Sequence, residues 1–141
     1  MIVLNWDDYL SKIHSLCNQI KCSPVDFNFI YGIPRGGLIP ATIISHELNI
    51  PLIDTLQHAK KDDIILIVDD ISDTGETFKA INSKYDSIFY FGTLFLRYSS
   101  SFKPDFYEKK IMTDDWLVFP YEKMPQNEQK EIKNHIIKKN G

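Results

Sequence analysis

Two carboxylates, Asp69 and Asp70, stand side by side where the apolar run Ile64–Val68 ends. A turn of Ile71, Ser72, Asp73, Thr74 and Gly75 then leads into Glu76 and Thr77. Adjacent acids can accept hydrogen bonds from vicinal sugar hydroxyls, or ligate Mg²⁺ directly or through water. Gly75 lets the backbone approach an anion closely. The N–H groups of the turn and of a helix starting there favour phosphate, and Thr74 and Thr77 add hydroxyl donors. The plain alternative is a strand running into an ordinary acidic turn and helix cap. A nucleotide-binding loop of the Gly-Lys-Ser/Thr type is excluded, because the sequence has none.

A second group precedes it: Gly32, Ile33, Pro34, Arg35, Gly36 and Gly37. Arg35 offers a planar fork suited to pyrophosphate, and Gly36 and Gly37 leave the neighbouring backbone N–H groups accessible. Both groups must be positioned, and the patterning around them says how. Leu10, Ile13, Leu16, Cys17 and Ile20 fall at helical spacing over Trp6–Ile20, with Asn5 or Asp7 as cap. Phe27–Tyr31 reads as a strand, Leu38–Leu48 as an apolar helix stopped by Pro51, and Pro51–Leu56 as a short strand. Ile64–Val68 reads as a strand buried on both faces, Asp73–Tyr85 as a turn and helix, and Ser87–Leu96 as another strand. Phe102–Met112 fits a further short strand, and Ser99–Ser101 a loop. Pro125–Lys139 reads as a helix with Ile132, Ile136 and Ile137 on one face. Alternating strands and helices imply an α/β fold, a parallel sheet with helices on both faces. Ligands of such sheets sit at the carboxyl ends of the strands, where both groups fall.

The ordered set of Trp6-Asp7, the Arg-Gly-Gly-Leu-Ile-Pro loop, His46–Ile50, Asp54-Thr55, the acid pair with its turn, and Asp115–Glu122 resembles the type I phosphoribosyltransferases, and within them the small xanthine-guanine and hypoxanthine enzymes. It covers about residues 5–122. The resemblance implies one domain over residues 1–141, with a small hood built from about residues 97–124 and an added C-terminal helix at about 125–139. It implies transfer of 5-phosphoribosyl from its pyrophosphate donor, PRPP, to a 6-oxopurine base, with Mg²⁺ as cofactor and pyrophosphate as product. Asp69 and Asp70 would hold the ribose hydroxyls and the metal, and Ser72, Asp73, Thr74, Gly75, Glu76 and Thr77 the 5-phosphate. Pro34, Arg35, Gly36 and Gly37 would hold pyrophosphate, with a cis bond between Pro34 and Arg35. Asp73 matches the catalytic position that takes a proton from N7 of the base. Arg97, Trp116 and Leu117 would line the base pocket: Trp116 stacks on the purine, and Arg97 falls where relatives carry a Lys that reads the 6-oxo group. Relatives are homodimers or homotetramers, and that is the expected assembly.

The resemblance also marks a departure. Between Thr55 and Ile64 relatives carry a longer mobile segment that closes over the site. Here only Leu56–Asp63 is present, too short for a full lid, and Lys60 or Lys61 is the candidate to reach the pyrophosphate instead. A short lid keeps a rival reading open, a regulator that binds PRPP or a nucleotide without turnover. A receiver-like signalling domain also places acids after strands, but the Thr/Gly-rich turn fits it poorly. Net charge of −3 argues against a general nucleic-acid binder, and no apolar run approaches the roughly 20 residues of a membrane span. Cys17 and Cys22 without a signal peptide read as reduced thiols of a cytoplasmic protein. His14, His46, His58 and His135 lack ligand spacing.

Overall fold

The computed structural model describes residues 1–123, and the helix expected at about 125–139 lies outside them. The elements run β1 (Ile2–Val3), α1 (Trp6–Cys22), β2 (Phe29–Gly32), α2 (Leu38–Leu48), β3 (Leu52–Ile53), β4 (Ile64–Ser72), α3 (Glu76–Lys84), β5 (Ile88–Arg97), β6 (Phe106–Ile111) and β7 (Leu117–Val118). The α/β expectation holds. The helices start and stop where local chemistry allows. Asn5 Oδ1 accepts the Asp8 N–H at 2.8 Å and caps α1, and α2 ends on Asn49 in the left-handed region at φ 55°.

Leu10–Asp114 forms the larger of two units. Its sheet has the order β3-β2-β4-β5-β6, with every neighbour parallel. The connection β2–α2–β3 runs one way across the sheet and β4–α3–β5 the other. Right-handed crossovers in opposite directions place their helices on opposite faces. Side chains agree: a Cβ on Gly32 would meet Ala41 of α2 at 2.8 Å. On the other face Phe78 of α3 packs with Ile65, Ile67 and Phe91, its ring 4.8 Å from that of Phe91. Each such fully buried aliphatic contributes about 1.5–3 kcal/mol. Helix α1 lies on the α2 face, through the His14–Glu47 contact and Gln19, whose amide donates to Tyr107 O at 3.1 Å. Burial and the neighbouring Glu47 push the Cys17 thiol up to about 12, so it is an inert core group.

The strand order reverses between β2 and β4, and the crevice at their carboxyl ends is where doubly wound sheets take ligands. Here one expectation is corrected. The acid pair does not follow β4 but belongs to it, because β5 is long enough to keep pairing past the apolar run, with Asp69 opposite Thr93 and Ser72 opposite Leu96. The carboxylates thus stand on a ladder, not on a free turn.

The short segment before β4 is also corrected. Leu56 is buried in the core. The Lys60 N–H donates to Asp63 Oδ2 at 2.8 Å, Ser87 Oγ donates to Lys60 O at 2.6 Å, and the Ile88 N–H to Asp63 O at 2.9 Å. These partners fix Lys60 and Lys61 at the amino edge of the sheet. Asp69 lies five residues along β4 from Ile64, roughly 16 Å at about 3.3 Å per residue, more than a lysine side chain spans. Neither lysine can stand in for a lid within its own chain.

Among the described residues, the second unit joins Met1–Tyr9 to Asp115–Lys123. In it β1 pairs in parallel with β7, Ile2 opposite Leu117 and Val3 opposite Val118. The buried Tyr9 ring meets Phe119 and Tyr121 edge-on at 6.0 and 5.7 Å.

Candidate active site

Ile33–Gly37 leave the carboxyl end of β2, Asp69–Ser72 close β4 and Asp73–Gly75 leave its carboxyl end, and the two stretches touch. The Ile33 N–H donates to Val68 O at 2.9 Å, tying the first loop to the end of β4. A Cβ on Gly36 would lie 2.1 Å from Asp70 Oδ2, so the loop passes close over the carboxylate and a larger residue there must push it aside. Asp70 is itself oriented, since its Oδ1 accepts the Ile71 N–H at 2.7 Å. Gly36→Ala must therefore displace Asp70. We expect it to weaken PRPP binding at least tenfold in a calorimetric titration while the protein stays folded. Unchanged affinity would show that the contact has no part in binding.

Pro34 and Arg35 are exposed, and the bond between them is cis, as the resemblance implies. Arg35 makes no ion pair among the described residues, so its fork is available to an anion. Asp69 is the opposite case. Burial, and then the charge of Asp70, push its carboxyl up to about 8, and one proton is best ascribed to the pair. The cost of placing two carboxylates together falls when a cation or hydroxyl donors arrive.

Asp69, Ser72, Asp73, Thr74, Gly75 and Thr77 line a small open cleft of about 80 Å³. Gly75 has φ 88°, open to glycine and strained for other residues. Its Cβ position is also occupied, 2.7 Å from Phe102. The loop is held from behind by residues that sequence reasoning took only as a connection. The Ser101 N–H and Oγ both donate to Thr74 O, at 2.9 and 2.8 Å. Ser72 and Ser100 share a hydrogen bond of 3.0 Å. The serine run was the visible signal, but its partner was not. Glu76 pairs with Lys79 at 3.8 Å, so its side chain is directed along α3.

Arg97 ends β5, buried at 8 % exposure. Its Nε donates to Asp73 Oδ1 at 3.0 Å and its Nη1 to Thr113 O at 2.9 Å. The larger unit thus brings together the acid pair, the phosphate turn, the Arg35 loop and Arg97. Trp116 and Leu117 belong to the other unit, Trp116 at 59 % exposure and Leu117 buried in β7. Among the described residues no group of three or more acids, histidines or cysteines could hold a metal by itself, and no helix is long and apolar enough to cross a membrane.

No family model matches the chain. It is 30 % identical over 136 residues to the xanthine-guanine phosphoribosyltransferase of Chromohalobacter salexigens, covering 84 % of this chain and 82 % of that one. It is 31 % identical over 143 residues to the enzyme of the same name from Cereibacter sphaeroides, covering 84 % and 85 %. The crystal structure of a purine phosphoribosyltransferase from Pyrococcus horikoshii superposes with a TM-score of 0.75 at 31 % identity, covering 88 % of this chain and 95 % of that one.

Proposed function

The chain belongs to the purine phosphoribosyltransferases, and on that premise we propose how its residues divide the work. It is an enzyme that transfers 5-phosphoribosyl from PRPP to a purine, and we assign it the 6-oxopurines guanine, xanthine and hypoxanthine. The observation that carries the assignment of roles is the contact of Gly36 with Asp70 at the reversal of strand order. It makes one site of two loops, one suited to pyrophosphate and the other to a sugar phosphate. The rival reading of a regulator without turnover is not favoured, since the relatives above are named as transferases.

The glycosidic bond at C1 of the ribose breaks through an oxocarbenium-like state, as in glycoside hydrolysis. Asp69 and Asp70 hold the ribose hydroxyls, and Ser72, Thr74, Gly75 and Thr77 hold the 5-phosphate through hydroxyls and backbone N–H groups. Arg35 and Gly36 take the departing pyrophosphate. As N9 of the base bonds to C1, Asp73 accepts the proton from N7, and pyrophosphate leaves with the electrons of the broken bond. Trp116 and Leu117 keep the role that the resemblance implies for them, contact with the base. The donor set fits Mg²⁺: Asp69 and Asp70 offer hard carboxylate oxygens side by side near the carboxyl end of β4, and the described residues hold too few protein ligands for a closed cage. That is the pattern of a magnesium ion shared with substrate phosphates. When bound, it supplies positive charge against the leaving pyrophosphate. A cytoplasmic location and a homodimer or homotetramer complete the proposal.

The test is a turnover assay with PRPP, Mg²⁺ and each of guanine, xanthine, hypoxanthine and adenine. We expect Mg²⁺-dependent transfer to the 6-oxopurines. Because Leu56 and Lys60–Asp63 are anchored away from the site, we also expect more PRPP hydrolysis to ribose 5-phosphate than a lidded relative shows. Tight PRPP binding without transfer to any base would sink the catalytic reading.

A further inference from the structure

Asp73 projects from an exposed turn, with 61 % of its side chain accessible. Its hydrogen bond among the described residues is the one to Arg97 Nε, at 3.0 Å from Oδ1. A short carboxylate in such a turn has several rotamers open to it, and a proton acceptor that samples several rotamers is poorly aimed. The partner has no such freedom. Arg97 is the last residue of β5 and pairs with Ile111, the last of β6. Its side chain is 9 % exposed, and Nη1 is fixed on Thr113 O at 2.9 Å. The planar guanidinium therefore spans two anchor points that arrive from different parts of the chain, the segment after β6 and the turn after β4.

We infer that Arg97 is a positioning residue that sets the orientation of Asp73. This rests on the proposed role of Asp73 as the group that accepts the N7 proton. It changes what the arginine is for. A lysine at this place would present one nitrogen, able to address a base oxygen but unable to hold Asp73 and the Thr113 carbonyl at a fixed mutual angle. The Nε–Oδ1 bond leaves Oδ2 as the oxygen presented to the base, so the rigidity of β5 is transmitted to the reacting proton. Thr113 belongs to the same device: its carbonyl keeps the guanidinium plane from rotating about Nε.

The test compares the wild type with Arg97→Lys, Asp73→Asn and the double variant, reading kcat, the KM for base and for PRPP, and PRPP affinity by calorimetry. Arg97→Lys is expected to lower kcat on the order of tenfold, within the range that misplacement of a reacting group can cost, and to leave the KM for PRPP unchanged. In the Asp73→Asn background the same change is expected to lower kcat less than about twofold, because the group it orients is gone. Asp73→Glu, made on the exposed side, moves the carboxylate without touching the buried guanidinium. It is expected to lose kcat to a similar degree. Normal turnover from Asp73→Glu would overturn the inference however Arg97→Lys folds. Equal losses from Arg97→Lys in both backgrounds, or a change confined to the KM for base, would make Arg97 a direct reader of the base and sink the inference alone. Asp73→Asn with turnover within a few-fold of wild type would sink the assignment of Asp73 and the inference together.

Discussion

Asp73→Asn is expected to lower kcat by about 10²–10⁴-fold, the usual contribution of a positioned proton acceptor, while PRPP binds almost as before. The amide keeps the size of the side chain and its carbonyl oxygen can still accept from Arg97 Nε. What is lost is the capacity to take a proton. The fold is not at risk, because Asp73 is largely exposed and sits in a turn held elsewhere, through Ser101 to Thr74 and Ser72 to Ser100. The check is a pair of measurements on one preparation, steady-state turnover and calorimetric PRPP affinity. A loss smaller than a few-fold would make Asp73 a turn residue and leave the N7 proton to solvent.

The second large effect concerns the acid pair. Replacing Asp69 and Asp70 together by Asn is expected to weaken PRPP binding about a hundredfold or more, since each charge-assisted hydrogen bond contributes about 1.5–3 kcal/mol. The same change should stabilise the protein without ligand at alkaline pH. The Asp69 carboxyl has its ordinary value near 3.8 when unfolded and is pushed up to about 8 by burial and by Asp70. The folded state therefore binds the proton more tightly than the unfolded state, and its stability falls as pH rises through that window. Above it both carboxylates are charged and repel. Asparagine removes this cost, so the gain in Tm over wild type should be larger at about pH 9 than at about pH 5, by a few degrees for a domain of this size. A gain independent of pH would mean that the pair is not held against its own repulsion.

The candidate site was legible in the sequence as far as its parts are local. Asp69 to Thr77 is one short stretch, and an apolar strand, two acids, and a turn with Thr and Gly each carry a chemistry that spacing alone displays. Arg35, Gly36 and Gly37 form a second such stretch. Helix α2 was read to its bounds, Leu38–Leu48, because its first two turns are largely apolar and it is bounded by glycine on one side and Asn49 with Pro51 on the other. The end of β4 was read too early. Apolar character stops at Val68, but strand pairing is decided by the partner, and β5 continues to Arg97.

What the amino-acid order determined by itself, then, was the fold class, the two loops and the type of ligand they suit, since periodicity and turn chemistry are properties of neighbouring residues. The tertiary structure alone decided how those pieces meet. The reversal of strand order between β2 and β4 sets Gly36 against Asp70, and the pairing of β5 with β6 carries Arg97 between Asp73 and Thr113. The turn of Lys60–Asp63, clipped to Ser87 and Ile88, takes both lysines to the far edge of the sheet. Each of these contacts joins residues distant in the chain, and their free energy depends on packing and burial, which no local pattern encodes.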